Sequence, residues 1–130
     1  VLSAAITGLP LSPPLQLIVF LVGAGVLTGL FSAGPSMAAL LGVAQSLTVS
    51  LPADAVYVGL ALSVCAGSSL FLTAATSGPL AQGLVEAANI PDVDGRPVEL
   101  GFAQFLPPGL LAFVVIETTA VLWAGARIAV

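Results

Sequence analysis

Apolar residues run in long blocks along this chain, and short knots of Pro, Gly and hydroxyl residues cut the blocks apart. Leu15 to Phe31 is a 17-residue block in which Gln16 and Thr28 are the only polar side chains. At about 1.5 Å per residue a helix of that length reaches about 25 Å, just short of a hydrocarbon core of about 30 Å. Ser32-Ala33-Gly34-Pro35-Ser36 stops it, and Met37 to Val49 resumes as a second, shorter helix. Leu51-Pro52-Ala53-Asp54 is a polar break, with Asp54 placed to cap the next helix. Ala55 to Ala66 is apolar and predicted helical; Gly67-Ser68-Ser69 interrupts it softly, Leu70 to Ala75 continues it, and Thr76-Ser77-Gly78-Pro79 interrupts it hard. Leu80 to Ala88 is a third short piece, Asn89 to Leu100 a polar loop, and Phe105 to Val130 the last helix, with Pro107-Pro108 in its first turn.

The pattern therefore predicts an all-α fold: one polytopic membrane domain over residues 1–130. Its parts are a re-entrant or short helical hairpin (15–49), a discontinuous helix (53–89), a loop (90–104) and a final transmembrane helix (105–130). The apolar start, Val1 to Leu11, reads as the end of an earlier helix rather than a signal peptide, which would carry a basic segment first. We therefore expect the C-terminal part of a longer protein.

Composition strengthens the membrane reading. Charged residues make up 6% of the chain and hydrophobic residues 58%, with mean hydropathy +1.18. A soluble domain carries about 25% charged residues, so a water-facing surface cannot be built from this supply. No charge occurs before Asp54, and none between Asp54 and Glu86. Trp123, Arg127 and Tyr57 lie near helix ends, where a membrane interface favours them.

Charge and residue types also exclude functions. Two basic residues cannot form a nucleic-acid footprint. With no His and a single Cys, Cys65, neither a zinc site nor an internal disulfide is expected. No acid pair lies at membrane depth, so an intramembrane enzyme lacks its acid–base partners. Cys65 and Met37 read as packing residues.

Candidate chemistry sits at the breaks. Ser/Thr-x-Gly-Pro occurs twice, at Ser32–Pro35 and Thr76–Pro79, 44 residues apart. Gly permits unusual backbone angles and Pro presets the first turn of the next helix. Each following half-helix aims the positive end of its dipole at the break, so an anion would be attracted there, and unwound carbonyls could coordinate Na⁺. The expected substrate or ion site, where the two breaks meet near the membrane midplane, comprises Ser32, Gly34, Pro35, Ser36, Ser68, Ser69, Thr73, Thr76, Ser77 and Gly78. The plainer alternative is that Gly and Pro only kink membrane helices, and that the serines of 67–69 serve packing or bond back to their own helix. Glu117 is the only ionisable group well inside a helix. It reads as a proton or cation site, or as a hydrogen-bonded packing residue beside Thr118 and Thr119.

The order of these pieces resembles the second half of the ion transporter superfamily, which includes divalent anion/sodium symporters, citrate and arsenite permeases and related sodium/proton antiporters. Gly29-Leu30-Phe31-Ser32-Ala33-Gly34-Pro35-Ser36-Met37 is similar to that family's re-entrant tip. The stretch Ala66 to Pro79 is similar to its unwound helix, and Phe102 to Trp123 to its closing helix. The tip here holds neither Asp nor Asn, so backbone carbonyls could hold Na⁺ at it but no side-chain carboxylate does.

The resemblance implies a secondary transporter, a symporter or antiporter moving a small inorganic or organic ion by alternating access. It implies an upstream inverted repeat and N-terminal half, and no cofactor beyond a coupling ion, Na⁺ or H⁺. A homodimer in the plasma (inner) membrane is the expected assembly. The alternative is a structural or assembly subunit of a larger membrane complex. Orientation stays open: Arg127 favours a cytoplasmic C-terminus, and the resemblance favours the opposite.

Overall fold

The computed structural model describes residue 8 and residues 10–129. The expected upstream helix end over 1–11 therefore falls largely outside the described residues. Among the described residues five helices succeed one another: α1 Pro13–Phe31, α2 Ala33–Leu47, α3 Ala53–Leu70, α4 Ser77–Ala88 and α5 Phe102–Ile128. Among the described residues the only β-type pairing is one isolated bridge, Pro91 with Pro97. The fold is all-helical, and α1, α3 and α5 are each long and apolar enough to cross a membrane.

Side-chain contacts fix how these three run. Gly59 of α3 meets Leu21 of α1 and Ala124 of α5, and Gly29 of α1 meets Leu70 of α3. So α1 and α3 are parallel, and α5 descends antiparallel beside them. The core is built from Leu17, Phe20, Leu21 and Ala24 on α1, Leu40, Val43, Ala44 and Leu47 on α2, and Ala55, Val56, Leu60 and Val64 on α3. Outward faces of the same helices stay apolar, with Val19, Val22, Leu111 and Leu122 among the exposed residues. A helix apolar all round suits a lipid-facing bundle.

The closest approach is between backbones. A Cβ on Gly67 would overlap the Gly25 carbonyl and crowd the Thr28 side chain. Only glycine lets α3 lie on α1 there, as small residues do at membrane helix interfaces. At the other end Arg127 pairs with Asp54 across 3.2 Å and lies 5.5 Å over the Trp123 ring.

Several boundaries differ from expectation. Ser32 alone separates α1 from α2; its amide donates to Thr28 O at 2.9 Å, and its φ of 71° and ψ of 162° lie in territory glycine normally occupies. Helix α3 runs unbroken through Gly67-Ser68-Ser69, and Ser68 and Ser69 donate their hydroxyls to carbonyls of their own helix. The non-helical stretch is 71–76 instead, and Ser77-Gly78-Pro79 form the first turn of α4, where proline is best tolerated. Gly78 is needed there because any Cβ would overlap the Leu72 carbonyl.

Helix α5 begins at Phe102, three residues early, so Pro107 and Pro108 lie in its second turn and deprive Ala103 and Gln104 carbonyls of their usual donors. Asp54 is not the cap of α3. Pro52 takes that position, and Asp54 sits in the first turn facing Arg127. Cys65 is exposed rather than packed, while Met37 is half-buried against the core.

The loop between α4 and α5 is an ordered turn: Asp92 Oδ1 accepts the amides of Asp94 and Arg96 at 2.7 and 3.0 Å. Among the described residues, helix α4 packs against none of the other helices and has no buried residue.

This geometry sets two stability outcomes. Gly67→Ala should lose about 1–3 kcal/mol, since the new methyl meets backbone rather than a flexible side chain. Ser32→Gly should gain about 1 kcal/mol by removing the strained φ. Unfolding by sodium dodecyl sulfate from mixed micelles measures both.

Candidate functional site

Burying a polar side chain among three apolar helices requires partners for it. Four polar side chains of the spanning helices are buried: Gln16, Thr28, Ser63 and Glu117. Gln16 Nε2 donates to Leu11 O at 3.2 Å, near the start of α1. Thr28 donates to Ala24 O at 2.8 Å, within its own helix. Ser63 and Glu117 pair with each other: the Ser63 hydroxyl donates to Glu117 Oε1 at 3.0 Å, linking α3 to α5.

Glu117 is 6% exposed and Ser63 fully buried. Among the described residues Glu117 Oε2 has no hydrogen-bond partner. This oxygen points at α1, where it would lie 2.7 Å from a Cβ built on Gly25. The Phe113 ring, one turn earlier on α5, closes on the same spot at 3.0 Å. The carboxyl thus sits where all three spanning helices meet, held open by a glycine.

Local sequence explains the placement. Ser63 falls on the buried face of α3 with Val56, Gly59, Leu60, Val64 and Gly67. Glu117 falls on the narrow buried face of α5 with Gly109, Ala120 and Ala124. Small neighbours bring the backbones close enough for a serine to reach a glutamate.

A carboxylate at membrane depth costs several kcal/mol when isolated. One hydroxyl donor returns about 1.5–3 kcal/mol. The group therefore calls for a proton or a cation at its free oxygen.

The residues expected at the breaks are arranged differently. Ser32 is half-buried and makes no side-chain cap on α2. Gly34 and Pro35 are exposed. Ser36 is buried and donates to Leu27 O at 3.4 Å. Ser68 donates to Val64 O and Cys65 O, and Ser69 to Ala66 O. Thr73, Thr76 and Ser77 are exposed, and Gly78 is half-buried.

Both breaks lie beyond the same end of the parallel pair α1 and α3, past the Gly29–Leu70 contact, and not halfway along the spanning helices as a midplane site requires. Glu117 lies further down the bundle, beside Gly25 and Ser63. Glu117 was legible from the sequence. Ser63 and Gly25 were not, because nothing in a lone Ser or Gly inside an apolar run marks it as facing a carboxyl on a distant helix, 54 residues on in the case of Ser63.

No family model, curated protein or solved structure matches the chain.

Removing the serine should expose the cost of this arrangement. Ser63→Ala leaves both carboxyl oxygens unpartnered and should lower stability by about 1–3 kcal/mol. Glu117→Gln should cost less, since its amide carbonyl still accepts from Ser63. Unfolding midpoints of the two variants in the same micelles give the comparison.

Proposed function

We propose that this chain is part of a secondary ion transporter of the membrane, in which Glu117 takes up and releases a proton or small cation. The observation that carries the reading is the Glu117 carboxyl, buried among three spanning helices with one oxygen unpartnered. An ionisable group at that depth is costly, and function is the usual reason for keeping one.

On this reading α1 and α2 act as the re-entrant or short hairpin, and α3 with α4 as a discontinuous helix. The stretches around Ser32 and 71–76 are the points where the chain rearranges between outward- and inward-open states. The substrate ion is met at the helix starts just beyond them, α2 and α4, with Ser32, Ser36, Thr73, Thr76 and Ser77 in reach of it. Glu117 supplies the coupling site. An inverted repeat upstream, a homodimeric assembly and a plasma (inner) membrane location belong to the same proposal.

A structural or assembly role is the second reading. It is favoured by the inward-turned hydroxyls of Ser68 and Ser69 and by the glycine contacts, which packing alone would explain.

The intact protein in proteoliposomes separates the two. Proton movement is followed with an internal pH dye after a potassium diffusion potential is set with valinomycin. Glu117→Gln should reduce it at least tenfold while the protein stays folded, and Ser32→Leu and Ser77→Leu should each slow it severalfold. Unchanged flux in all three variants would leave the structural role standing.

A further inference from the structure

The surroundings of Glu117 Oε2 narrow the choice of ion that can meet it. The oxygen is buried, and among the described residues it has no hydrogen-bond partner. It lies against Gly25, where a Cβ built on the glycine would come within 2.7 Å of the oxygen and 3.0 Å of the Phe113 ring. The gap there is smaller than one methyl group. The other carboxyl oxygen accepts the Ser63 hydroxyl at 3.0 Å.

Few other oxygens are on offer. Helices α1, α3 and α5 pass this level unbroken, so their carbonyls are engaged within the helices. The unwound backbone, at Ser32 and at 71–76, lies beyond the Gly29–Leu70 contact. Thr28, one turn on from Gly25, turns its hydroxyl back to Ala24 O.

Basic groups are equally distant. Helices α1 and α2 carry no titratable side chain. On α3, Tyr57 and Cys65 are exposed, and Asp54 pairs with Arg127 at 3.2 Å. Arg127 itself lies ten residues past Glu117, about 15 Å along α5. Arg96 is in the loop between α4 and α5.

We infer that the ion Glu117 exchanges is the proton, not Na⁺ or K⁺, and that in this packing Glu117 is a neutral acid with its proton on Oε2. The inference rests on the reading of Glu117 as the exchanging carboxyl, and it chooses between the two kinds of ion which that reading leaves open.

Coordination is the first reason. Hard cations gather about six oxygen ligands, and the site supplies two carboxyl oxygens and one hydroxyl. Room is the second. A proton adds almost no volume, whereas a metal ion would have to push Phe113 or α1 aside. Charge is the third. An ionised carboxyl with one hydroxyl donor and no counterion is costly to bury, and protonation removes the charge in place. On release the proton passes from Oε2 to water, which meets the oxygen once the helices part at Gly25. The carboxylate left behind keeps the Ser63 hydrogen bond.

The test follows the intact protein in phosphatidylcholine bilayers by infrared spectroscopy, where a protonated carboxyl has a C=O band of its own. Spectra are taken at neutral pH in choline chloride, then with NaCl or KCl in its place. Glu117→Gln is the blank, and Ser63→Ala removes the donor to Oε1. Expected is a band at neutral pH that Glu117→Gln abolishes and that Na⁺ and K⁺ change less than twofold. In Ser63→Ala it should move to higher frequency, because the C=O loses its donor.

Absence of any band that Glu117→Gln removes would overturn the inference. So would a twofold or greater loss of the band in Na⁺ or K⁺, or a band that Ser63→Ala leaves in place. The salt comparison uses the unaltered protein, so it decides the choice of ion even where Ser63→Ala fails to fold. The two readings fail separately. Normal proton movement in Glu117→Gln, with the band present, sinks only the transport role. Proton movement lost in Glu117→Gln, with a band that Na⁺ abolishes, sinks only the choice of ion.

Discussion

Close contact between backbones is the constraint on which the rest of this structure depends. Lipid tails are as apolar as leucine, so helices in a bilayer gain little by hiding hydrocarbon from one another. What holds them is shape. Gly67 against the Gly25 carbonyl sets α3 on α1, and Gly109 against the Ser69 and Leu70 carbonyls sets α5 on α3. Gly59, between Leu21 and Ala124, joins all three. A methyl group at Gly67 or Gly109 would meet backbone and force the helices apart, whereas at Gly59 the end of Leu21 would only have to shift. Only at this spacing can the Ser63 hydroxyl reach Glu117, and only with Gly25 opposite does the second carboxyl oxygen fit.

The all-helical class and the last spanning helix were legible because lipid imposes its demand on whole segments, and hydropathy summed over a segment is robust; α1 and α3, read as an arm of a short hairpin and as part of a broken helix, are each long and apolar enough to span. Break positions were legible to within one turn. Gly34-Pro35 and Gly78-Pro79 do mark helix starts, but the unwinding falls just before them, at Ser32 and at 71–76. Proline's preference for the first turn puts the discontinuity upstream of the motif that announces it. The serines of 67–69 mislead, because a hydroxyl inside an apolar helix can be satisfied by a carbonyl one turn back without ending the helix. Helix α5 starts earlier than Pro107-Pro108 suggest, because the pair reads as a first turn and the helix tolerates it in its second.

The site was half legible. A glutamate twelve residues into an apolar run is conspicuous by cost alone. Its partners are ordinary residues made special by register: Ser63 and Gly25 matter because α1 and α3 run parallel with α5 reversed beside them. That is a property of the packed bundle, absent from any single segment. The breaks and the carboxyl therefore divide the functional proposal, the breaks offering movement and the carboxyl offering charge.

The two ends of the α3–α5 pair are secured by unlike means. At one end, the Asp54–Arg127 contact, backed by Trp123, fastens α5 to the first turn of α3. At the other, α5 carries two prolines and meets a chain that has already unwound beyond Leu70. That end is nonetheless held by the bedding of Gly109 on the Ser69 and Leu70 carbonyls and by the stacking of Phe102 on Phe71, while the foot rests on an exposed ion pair that salt screens. Raised ionic strength therefore slackens the charged foot of the seam and leaves its glycine-packed head in place.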